Sequence, residues 1–540
     1  MIRPIQFLSA QALPKYLTLV SGKTITLEHT GQTFYKEVSG NTVLSFSTAG
    51  LTLSPAELVE FRIVLRLTAG SVNFPDTWIW AGGEEPTVNA AGYYTIHVCT
   101  PDGGENWLAA LERTYVTPSN WKFVTSLLDN NSGGTLREVI AAAQTGDVVK
   151  FGRGVTGTIV LTQGALLLNK RITLDGGNKI TISGNSATRI IRATVGGCVV
   201  ENIVLNNGYV TGSEPAGCGA GVYAEAAITL ESVTIENCSA TSGAAVYSED
   251  TLTLNNCVIQ TNTATNGAGI MIDSNATVTL SGCLVKGNAA TTNGGGLYKV
   301  GTVTHPTVVI EDCTFQTNSA ATGGALYLQQ ALDLDVSATT FSGNSATTRA
   351  PVAYLNGYTS QTGSKFRRCL MTANLCAAHT DGLVYATTIP NGLITDSVFT
   401  GNTFTANTGY HRCVYCTTSA TALTLRNCTF TNNDKGGGFY AAAGTLNVQN
   451  CVDALNTHVS ASGSSATLNV STCLSDQGTW ADITYSSGQP LFDVDHYTPV
   501  AGSQVINQGN NAVVDSTVDF NGNARVIGTA VDLGAVEYQG

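Results

Sequence analysis

The chain has 540 residues, of which 12% are charged, and its formal net charge at pH 7 is −12. An acidic chain without a basic stripe is not expected to bind nucleic acid. No apolar run is long enough to cross a bilayer, so membrane insertion is not expected either. The 58 glycines and 13 prolines are typical of an elongated all-β protein with many corners.

The N-terminus, MIRPIQFLSAQALPKYLTLV, does not have the pattern of a signal peptide, because Gln, Ser, Pro and Lys interrupt its apolar stretch. We therefore expect these residues to belong to the mature protein. A protein of this kind would leave its cell by lysis or by a route other than ordinary secretion.

Residues 1–120 alternate apolar and polar side chains between clusters of Gly, Pro and Asp, as in FRIVLRLTAG (61–70) and YYTIHVCT (93–100). This pattern predicts a small antiparallel β-domain. Five large aromatic residues are expected to anchor its core rather than to form an exposed sugar-stacking platform. They are Phe74, Trp78, Trp80, Tyr94 and Trp107.

Residues 121–151 contain the single strong helix signal of the chain. Thr135 is a favourable N-cap residue, and Leu136, Val139 and Ile140 lie on one helical face. We expect a linker followed by a short helix that covers the open end of the next domain, since uncovered strand edges promote aggregation.

Residues 152–490 repeat a short phrase: an apolar strand, two polar residues, a Cys or small residue, and an Asn five places later. From Cys257 to Cys473 the phrase recurs at intervals of 22 to 31 residues, with Thr339 and Ser397 in place of two cysteines. A fixed repeat of short alternating strands predicts a solenoid, because single units cannot bury their apolar face. We expect a right-handed parallel β-helix of roughly a dozen coils.

The repeated asparagines predict a ladder along the solenoid axis. An Asn at a tight corner tolerates left-handed backbone angles, and its amide can bond to the equivalent Asn of the next coil. The cysteines recur at an inward position and are expected to be buried free thiols. The expected ladder consists of Asn262, Asn288, Asn318, Asn344, Asn374, Asn402, Asn433 and Asn456.

Residues 491–540 are expected to form a C-terminal cap. The segment DFNGN (519–523) has some features of a calcium loop but lacks its later ligands. Asp519, Arg525 and Asp532 are expected to hold the cap together instead.

Three motifs resemble known β-helix families. TLREVIAAAQTGDVVKF (135–151) through ITLDGG is similar to the opening of bacterial surface β-helix proteins of the CSLREA type, although the leading Cys is absent. FQTN (315–318) with GGAL (324–327) resembles the repeats of chlamydial polymorphic outer-membrane proteins. DFNGNARVIGTAVDLGAVEYQG (519–540) resembles the tail of choice-of-anchor Q proteins. These resemblances imply a fold, since one solenoid supports many activities.

LRLTAGSVNFPDTWIWAGGEEPTVNAAGYYTIHVCTPDGGENWLA (66–109) is similar to a short β-domain of bacteriophage tail fibre proteins. This resemblance implies that residues 1–120 attach the protein to other tail or baseplate proteins of a virion. It further implies a homotrimer of long β-helices.

Aligning the coils on the repeat places Glu311, Asp335, Lys365 and Arg367 on one outer face, and Asp333 adds a carboxylate. These five residues are the candidate saccharide contacts, and catalytic residues stay unassigned. Paired carboxylates suit glycoside hydrolysis, and carboxylates with Lys or Arg suit β-elimination from a uronate. An ordinary solvated patch of ion pairs fits the same charges.

Other polar groups give weaker signals. His379 with Asp381, and His411 with Arg412, are further outward possibilities. Cys413 and Cys416 have CxxC spacing, but no second pair accompanies them. We therefore expect no metal site and no cofactor.

Three functions fit the sequence. The first is a phage tail spike or fibre protein, located in the virion, that binds a host surface polysaccharide. The second is a polysaccharide lyase or glycoside hydrolase on the same scaffold. The third is a bacterial adhesin, which would place the protein on the cell surface or outside the cell.

Overall fold

A computed structural model divides the chain into two compact units, Met1–Trp121 and Lys122–Gly540. In the first 119 residues the described parts are 17–19, 24–26, 32–38, 42–47, 59–67, 71–74, 78–80, 88, 92–100 and 107–116. From there on they are 120–273, 276–299, 307–329, 333–357, 363–377, 382–405, 411–458, 460–476 and 490–540.

The N-terminal unit is built from a mixed six-stranded sheet and two small parallel pairs. Val59–Leu67, Gly92–Thr100 and Trp107–Val116 form the predicted antiparallel part of this sheet. The sheet also contains parallel neighbours that the sequence pattern did not indicate, Leu17–Leu19, Gln32–Val38 and Trp78–Trp80. The two pairs are Thr24–Thr26 with Ser45–Ser47 and Thr42–Val43 with Val72–Asn73.

Three of the five predicted aromatic anchors are buried in the core of this unit. Phe74 and Trp78 stack with ring centroids 5.8 Å apart, and Tyr94 is 1% exposed. The side chains of Trp80 and Trp107 lie outside the described residues. The buried rings therefore contribute apolar contact area to folding.

The second unit is an all-β solenoid of parallel strands, which confirms the predicted fold class. A 24-stranded sheet supplies two of its faces, and sheets of 13 and six strands supply the others. We call the two rows of the largest sheet face 1 and face 2, the 13-stranded sheet face 3 and the six-stranded sheet face 4.

Face 1 consists of Leu166–Leu168, Ile191–Ala193, Val222–Ala224, Val246–Ser248, Ile270–Ile272, Leu297–Lys299, Leu326–Gln329, Ala353–Asn356, Val384–Thr387, Arg412–Cys416 and the start of Gly437–Gln449. Face 2 consists of Trp121–Val124, Val148–Phe151, Thr173–Asp175, Cys198–Glu201, Ile228–Glu231, Leu252–Asn255, Val278–Ser281, Val308–Glu311, Leu334–Ser337, Ser364–Arg367, Gly392–Thr395, Ala422–Arg426, the end of Gly437–Gln449 and Ala461–Ser471.

Face 3 consists of Gly157–Val160, Ile180–Ser183, Val204–Asn206, Thr234–Glu236, Val258–Gln260, Leu284–Lys286, Thr314–Gln316, Thr340–Ser342, Leu370–Thr372, Val398–Thr400, Thr429–Thr431, Val452–Ala454 and Leu474–Ser475. Face 4 consists of Thr263–Asn266, Ala289–Asn293, Ser319–Thr322, Ser345–Arg349, Leu375–Cys376 and Thr403–Phe404. Each strand pairs with its equivalent one coil away, so backbone groups are satisfied by neighbouring coils.

The helix covers Leu136–Ala142 and buries the predicted face of Leu136, Val139 and Ile140. Thr135 occupies the N-cap position, but its side chain makes no cap hydrogen bond to the helix. Its Oγ1 instead donates to the backbone oxygen of Asn130 at 2.8 Å. A short 3₁₀ helix, Asn511–Val513, completes the helical elements among the described residues.

The eight asparagines of the repeat are buried in one continuous ladder. In each step the side-chain Nδ2 donates to Oδ1 of the next Asn, as from Asn318 to Asn344 at 3.0 Å. The backbone amide of Asn318 donates to the same Oδ1, also at 3.0 Å. The second hydrogen of Nδ2 goes to a backbone oxygen, here that of Val285 at 2.8 Å. Each amide group is therefore fully used inside the solenoid.

The left-handed corner residue is not the ladder Asn itself, and this expectation was wrong. Positive φ angles occur one residue earlier, at Thr261 (54°), Thr317 (51°) and Ala373 (54°) among others. The preceding residue makes the turn, and the Asn side chain then points inward to bond its neighbours.

The cysteine position forms a second inward row at the other end of face 3. The 13 cysteines whose side chains the structure describes are buried and free. The Cys283 amide lies 3.4 Å from Sγ of Cys313, and the Cys313 amide donates to Oγ1 of Thr339 at 3.4 Å. Ser397 receives the corresponding bond from Cys369 at 3.1 Å. A hydroxyl therefore replaces the thiol without interrupting the row.

The C-terminal segment packs against outward residues of face 3. Val398 contacts Ala535 and Val536, and Val452 lies in a cluster with Val505 and Leu533. Arg525 is 1% exposed, and its guanidinium lies 3.3 Å from both Asp396 and Glu537. Asp519 and Asp532 are also buried, and their carboxylates accept backbone N–H groups of this segment.

Candidate functional site

The outer side of face 2 carries two parallel rows of side chains, because alternate residues of each strand point outward. The first row reads Thr253, Thr279, Val309, Asp335, Lys365, Leu393, Thr424 and Asn447. The second row reads Asp175, Glu201, Glu231, Asn255, Ser281, Glu311, Ser337, Arg367, Thr395, Arg426 and Gln449. Successive members of a row are separated by one strand spacing, ~4.8 Å.

The predicted charged cluster is centred on Asp335, Lys365 and Arg367. Asp335 and Lys365 are register partners on adjacent strands. Nη2 of Arg367 lies 2.7 Å from Oδ1 of Asp335 and donates to Oδ2 at 2.7 Å. Both side chains are more than a third exposed, so this ion pair contributes little to folding stability.

The other two predicted contacts lie at the margin of this cluster. Glu311 is exposed and is separated from Arg367 in its row by Ser337. Asp333 directly precedes the strand Leu334–Ser337, and its backbone oxygen accepts the Val308 amide at 3.0 Å. The structure therefore brings three of the five residues into direct proximity.

A groove begins one strand beyond Lys365 on the same face, at its register partner Leu393. It has a volume of about 340 Å³ and is lined by Asn391, Leu393, Thr424, Arg426, Asn447 and Asp515, among others. Arg426 donates to Asp515 at 2.7 Å and to Oε1 of Gln449 at 3.1 Å. No repeat or motif indicates this wall, since Asp515 lies 89 residues from Arg426 along the chain.

A row of three carboxylates lies at the other end of face 2. Asp175, Glu201 and Glu231 are consecutive register partners. The repeat extends to these coils with Ile203 and Val233 at the cysteine position, each after a residue of positive φ. An alignment that starts from cysteines misses them for this reason. A groove of about 290 Å³ lies beside the following bend and includes Asn178, Lys179 and Thr234.

The first two carboxyl groups of this row have opposite pKa shifts. Burial alone would raise the pKa of Asp175, but bonds from Lys150, the Gly177 amide and Asn202 lower it. Burial raises the pKa of Glu201, and the neighbouring carboxylates of Asp175 and Glu231 raise it further, against the lowering effect of Lys150. The pair therefore combines a carboxylate with a carboxyl group that retains its proton to higher pH.

The outer side of face 1 carries a row of tyrosines that sequence analysis did not single out. Ring centroids of neighbours are 4.7 to 5.6 Å apart along the row. Most of these rings lie parallel to their neighbours, so ring faces contact other rings rather than solvent. The row contains Tyr298, Tyr327, Tyr354, Tyr385, Tyr415 and Tyr440.

One of the weaker predictions is corrected by the structure. His411 and Arg412 are 0% and 3% exposed, so they do not point outward as expected. His379 and Asp381 lie outside the described residues. Cys413 and Cys416 are buried free thiols. Within the described ranges, no group of three or more His, Cys, Asp or Glu side chains could hold a metal ion.

The family model for the right-handed β-helix region matches residues 156–369 and 306–453, which together cover more than half of the chain. The protein belongs to the right-handed β-helix family. No curated protein matches this β-helix protein. In the described part of the chain, no helix has the length and apolar character needed to cross a membrane.

Several solved structures are similar to this β-helix protein, and two of them are as follows. One is the catalytic unit of a thermostable GH87 α-1,3-glucanase from Streptomyces thermodiastaticus strain HF3-3, at 14% identity and a TM-score of 0.33. The match covers 81% of this chain and 87% of that chain. The other is a family 28 exopolygalacturonase from Yersinia enterocolitica, at 12% identity and a TM-score of 0.26, covering 71% and 85%.

Proposed function

We propose that the protein binds a polysaccharide along the outer side of face 2, from Asp335 to Asn447. The observation that carries this proposal is the groove that continues the row of Asp335 and Lys365. The groove offers guanidinium, amide, hydroxyl and carboxylate groups to a ligand, and the adjoining Lys365 adds an ammonium group. Sugars need such a mixture of hydrogen-bond donors and acceptors.

The geometry suits an extended polymer. Equivalent side chains recur once per coil, at a spacing close to the length of one pyranose ring. The groove is open and shallow, whereas small-molecule sites enclose most of their ligand. The exposed side of Leu393 lies between Lys365 and Thr424 and offers an apolar contact for the C–H face of a sugar.

The biological setting is a second part of the proposal. We propose that the polysaccharide belongs to a host cell surface and that the protein is a virion component of the tail spike or fibre type. Residues 1–120 would attach it to other tail proteins, and homotrimer formation is part of the same proposal. The similarity of residues 66–109 to tail fibre modules supports this setting.

Simultaneous replacement of Asp335 and Lys365 by Ala tests the binding site. Binding to host polysaccharide should decrease, while the melting temperature stays nearly constant, because these side chains are exposed. Thr424→Trp should fill the groove and weaken binding through bulk alone. Unchanged attachment by both variants would remove this face from consideration.

Deletion of residues 1–120 tests the attachment role separately. The truncated chain should still bind polysaccharide but should no longer be incorporated into particles. Incorporation at the full-length level would contradict attachment through this unit.

Glycoside hydrolysis is the second candidate function, and the opposite pKa shifts of Asp175 and Glu201 favour it. Glu201 would protonate the leaving oxygen as a general acid, and the Asp175 carboxylate would stabilise the developing positive charge. In-register side chains on adjacent strands are ~5 Å apart, the separation found in retaining enzymes.

A hydrolysis assay with Glu201→Gln distinguishes the two candidates. If the acidic row is catalytic, this variant should release reducing ends at least about a hundredfold more slowly than the native protein. It should bind the polysaccharide normally through the cluster at Asp335. Equal rates for variant and native protein would eliminate Glu201 as the acid.

A further inference from the structure

The charge pattern along the groove limits the kind of polysaccharide that it can accept, an inference that rests on the proposed function. Lys365 is exposed and has no salt-bridge partner among the described residues. The carboxylate of its register partner Asp335 is already held by Arg367 at 2.7 Å. Lys365 therefore offers an ammonium group that can neutralise an anionic group of a ligand.

The next positions of the groove do not offer a comparable cation. Leu393 follows Lys365 in the row and is apolar. Arg426 is already paired with Asp515 at 2.7 Å and with Gln449 at 3.1 Å. Thr424 and Asn447 supply neutral hydrogen-bonding groups. A second acidic sugar at these positions would meet an apolar surface and an ion pair without net charge.

We infer that the polysaccharide carries isolated acidic sugars, each flanked by neutral ones, with the acidic group at Lys365 and neutral sugars over Leu393, Thr424 and Asn447. A polymer with a carboxylate on every sugar is disfavoured because neither Leu393 nor the Arg426–Asp515 ion pair offers an unpaired cation to a second acid beside Lys365. Charges left without a partner on a wrong ligand select against it, just as attractive contacts select for the right one. A wholly neutral polymer leaves Lys365 unused.

The test is binding of the full chain to an immobilised panel of polysaccharides with three charge densities. The panel contains bacterial capsular polysaccharides and lipopolysaccharide O-chains, with dextran as a neutral member. Gellan has uronates flanked by neutral sugars, and polygalacturonate has a uronate at every position. The strongest binding should occur in the gellan class. Strongest binding to the neutral or the fully acidic class would overturn the inference.

Three variants connect the result to the groove. Lys365→Met keeps the length of the side chain and should weaken binding to the preferred polysaccharide about tenfold, with a smaller salt dependence. Lys286→Met, which removes an exposed lysine from face 3, is the matched control and should change nothing. Asp515→Asn should improve binding of polygalacturonate relative to the native protein.

Failure of this inference can be distinguished from failure of the proposed function. If Thr424→Trp abolishes binding while Lys365→Met leaves it unchanged, face 2 binds polysaccharide but Lys365 does not recognise an acid. If binding survives Thr424→Trp, or if no member of the panel binds, the proposed site is wrong and the inference with it.

Discussion

The inward corners and the outer side of face 2 follow the same coil repeat, but they differ in regularity. Across eight coils the inward corner keeps Asn in every coil, and each amide bonds to the next at 2.8 to 3.1 Å. The outer rows change from Thr to Asp, Lys, Leu and Asn within a few coils. A buried polar group needs its partner in every coil, whereas water satisfies an outward one. The irregular outer positions are therefore free to acquire function.

Substitution of a buried Asn in the ladder should cause the largest loss of stability. Asn344→Leu removes the acceptor of the Asn318 amide and Nδ2 groups, both at 3.0 Å, and leaves them buried. We expect the free energy of unfolding to fall by about 3 kcal/mol or more, measured by urea denaturation. Asn469→Leu is the control, since Asn469 is exposed on face 2, and it should cost less than about 0.5 kcal/mol. Equal losses would mean that the ladder is not a source of stability.

The C-terminal segment covers part of the outer side of face 3, so outward side chains there are buried like core residues. This region allows a second test of how burial affects stability. Burial raises the pKa of Glu537 to about 8 from its ordinary 4.5, and Arg525 offsets only part of that rise. A raised folded-state pKa means that the stabilising contribution is present below pH 4.5 and is lost as pH rises through about 8.

The melting temperature should consequently decrease across this pH range, and Glu537→Gln should make the decrease smaller. Glu311→Gln is the matched control, since it removes a carboxyl group from an exposed side chain. If the melting temperature of Glu537→Gln depended on pH as that of the native protein does, Glu537 would not make the stability of the C-terminal segment depend on pH.

A substitution in the cysteine row should change the free energy of unfolding less. Oγ1 of Thr339 accepts the Cys313 amide at 3.4 Å, in the place where other coils use a thiol. Thr339→Cys should therefore change the free energy of unfolding by less than about 1 kcal/mol. Alkylation with iodoacetamide should label the new thiol, like its buried neighbours, only after unfolding. Rapid labelling in the native protein would contradict an inward position.

The smallest stability effect is expected on the functional face. The Asp335→Ala, Lys365→Ala double variant should unfold within about 0.5 kcal/mol of the native protein, since both side chains are outward. A combined measurement of melting temperature and polysaccharide binding checks this expectation. A large loss of stability would mean that these two side chains stabilise the fold and are not simply part of a binding surface.

Much of the fold was predictable because its stabilising residues recur. Asn262, Asn288 and Asn318 gave the phase of the coil, and Leu136, Val139 and Ile140 gave the buried face of the helix. The coils before Cys257 were harder to align, since Ile203 and Val233 replace the cysteine there. The row of Asp175, Glu201 and Glu231 was missed for that reason.

The candidate site was only partly predictable. Counting along the repeat placed Asp335 beside Lys365, because the residues between them form one regular coil. It could not place Asp515 opposite Arg426, since 89 residues separate them and the C-terminal segment has no repeat. His411 and Arg412 were named as outward possibilities without support from the repeat, and they are buried.

The sequence by itself determined the β-helix, its coil phase and its inward ladders, because buried groups in a stack must be matched at a fixed interval. The tertiary structure alone decided where the C-terminal segment packs, and so formed the groove wall at Asp515 and the buried contacts of Arg525. Such contacts depend on the shapes of two surfaces that are distant in the chain, and no local pattern or period encodes them.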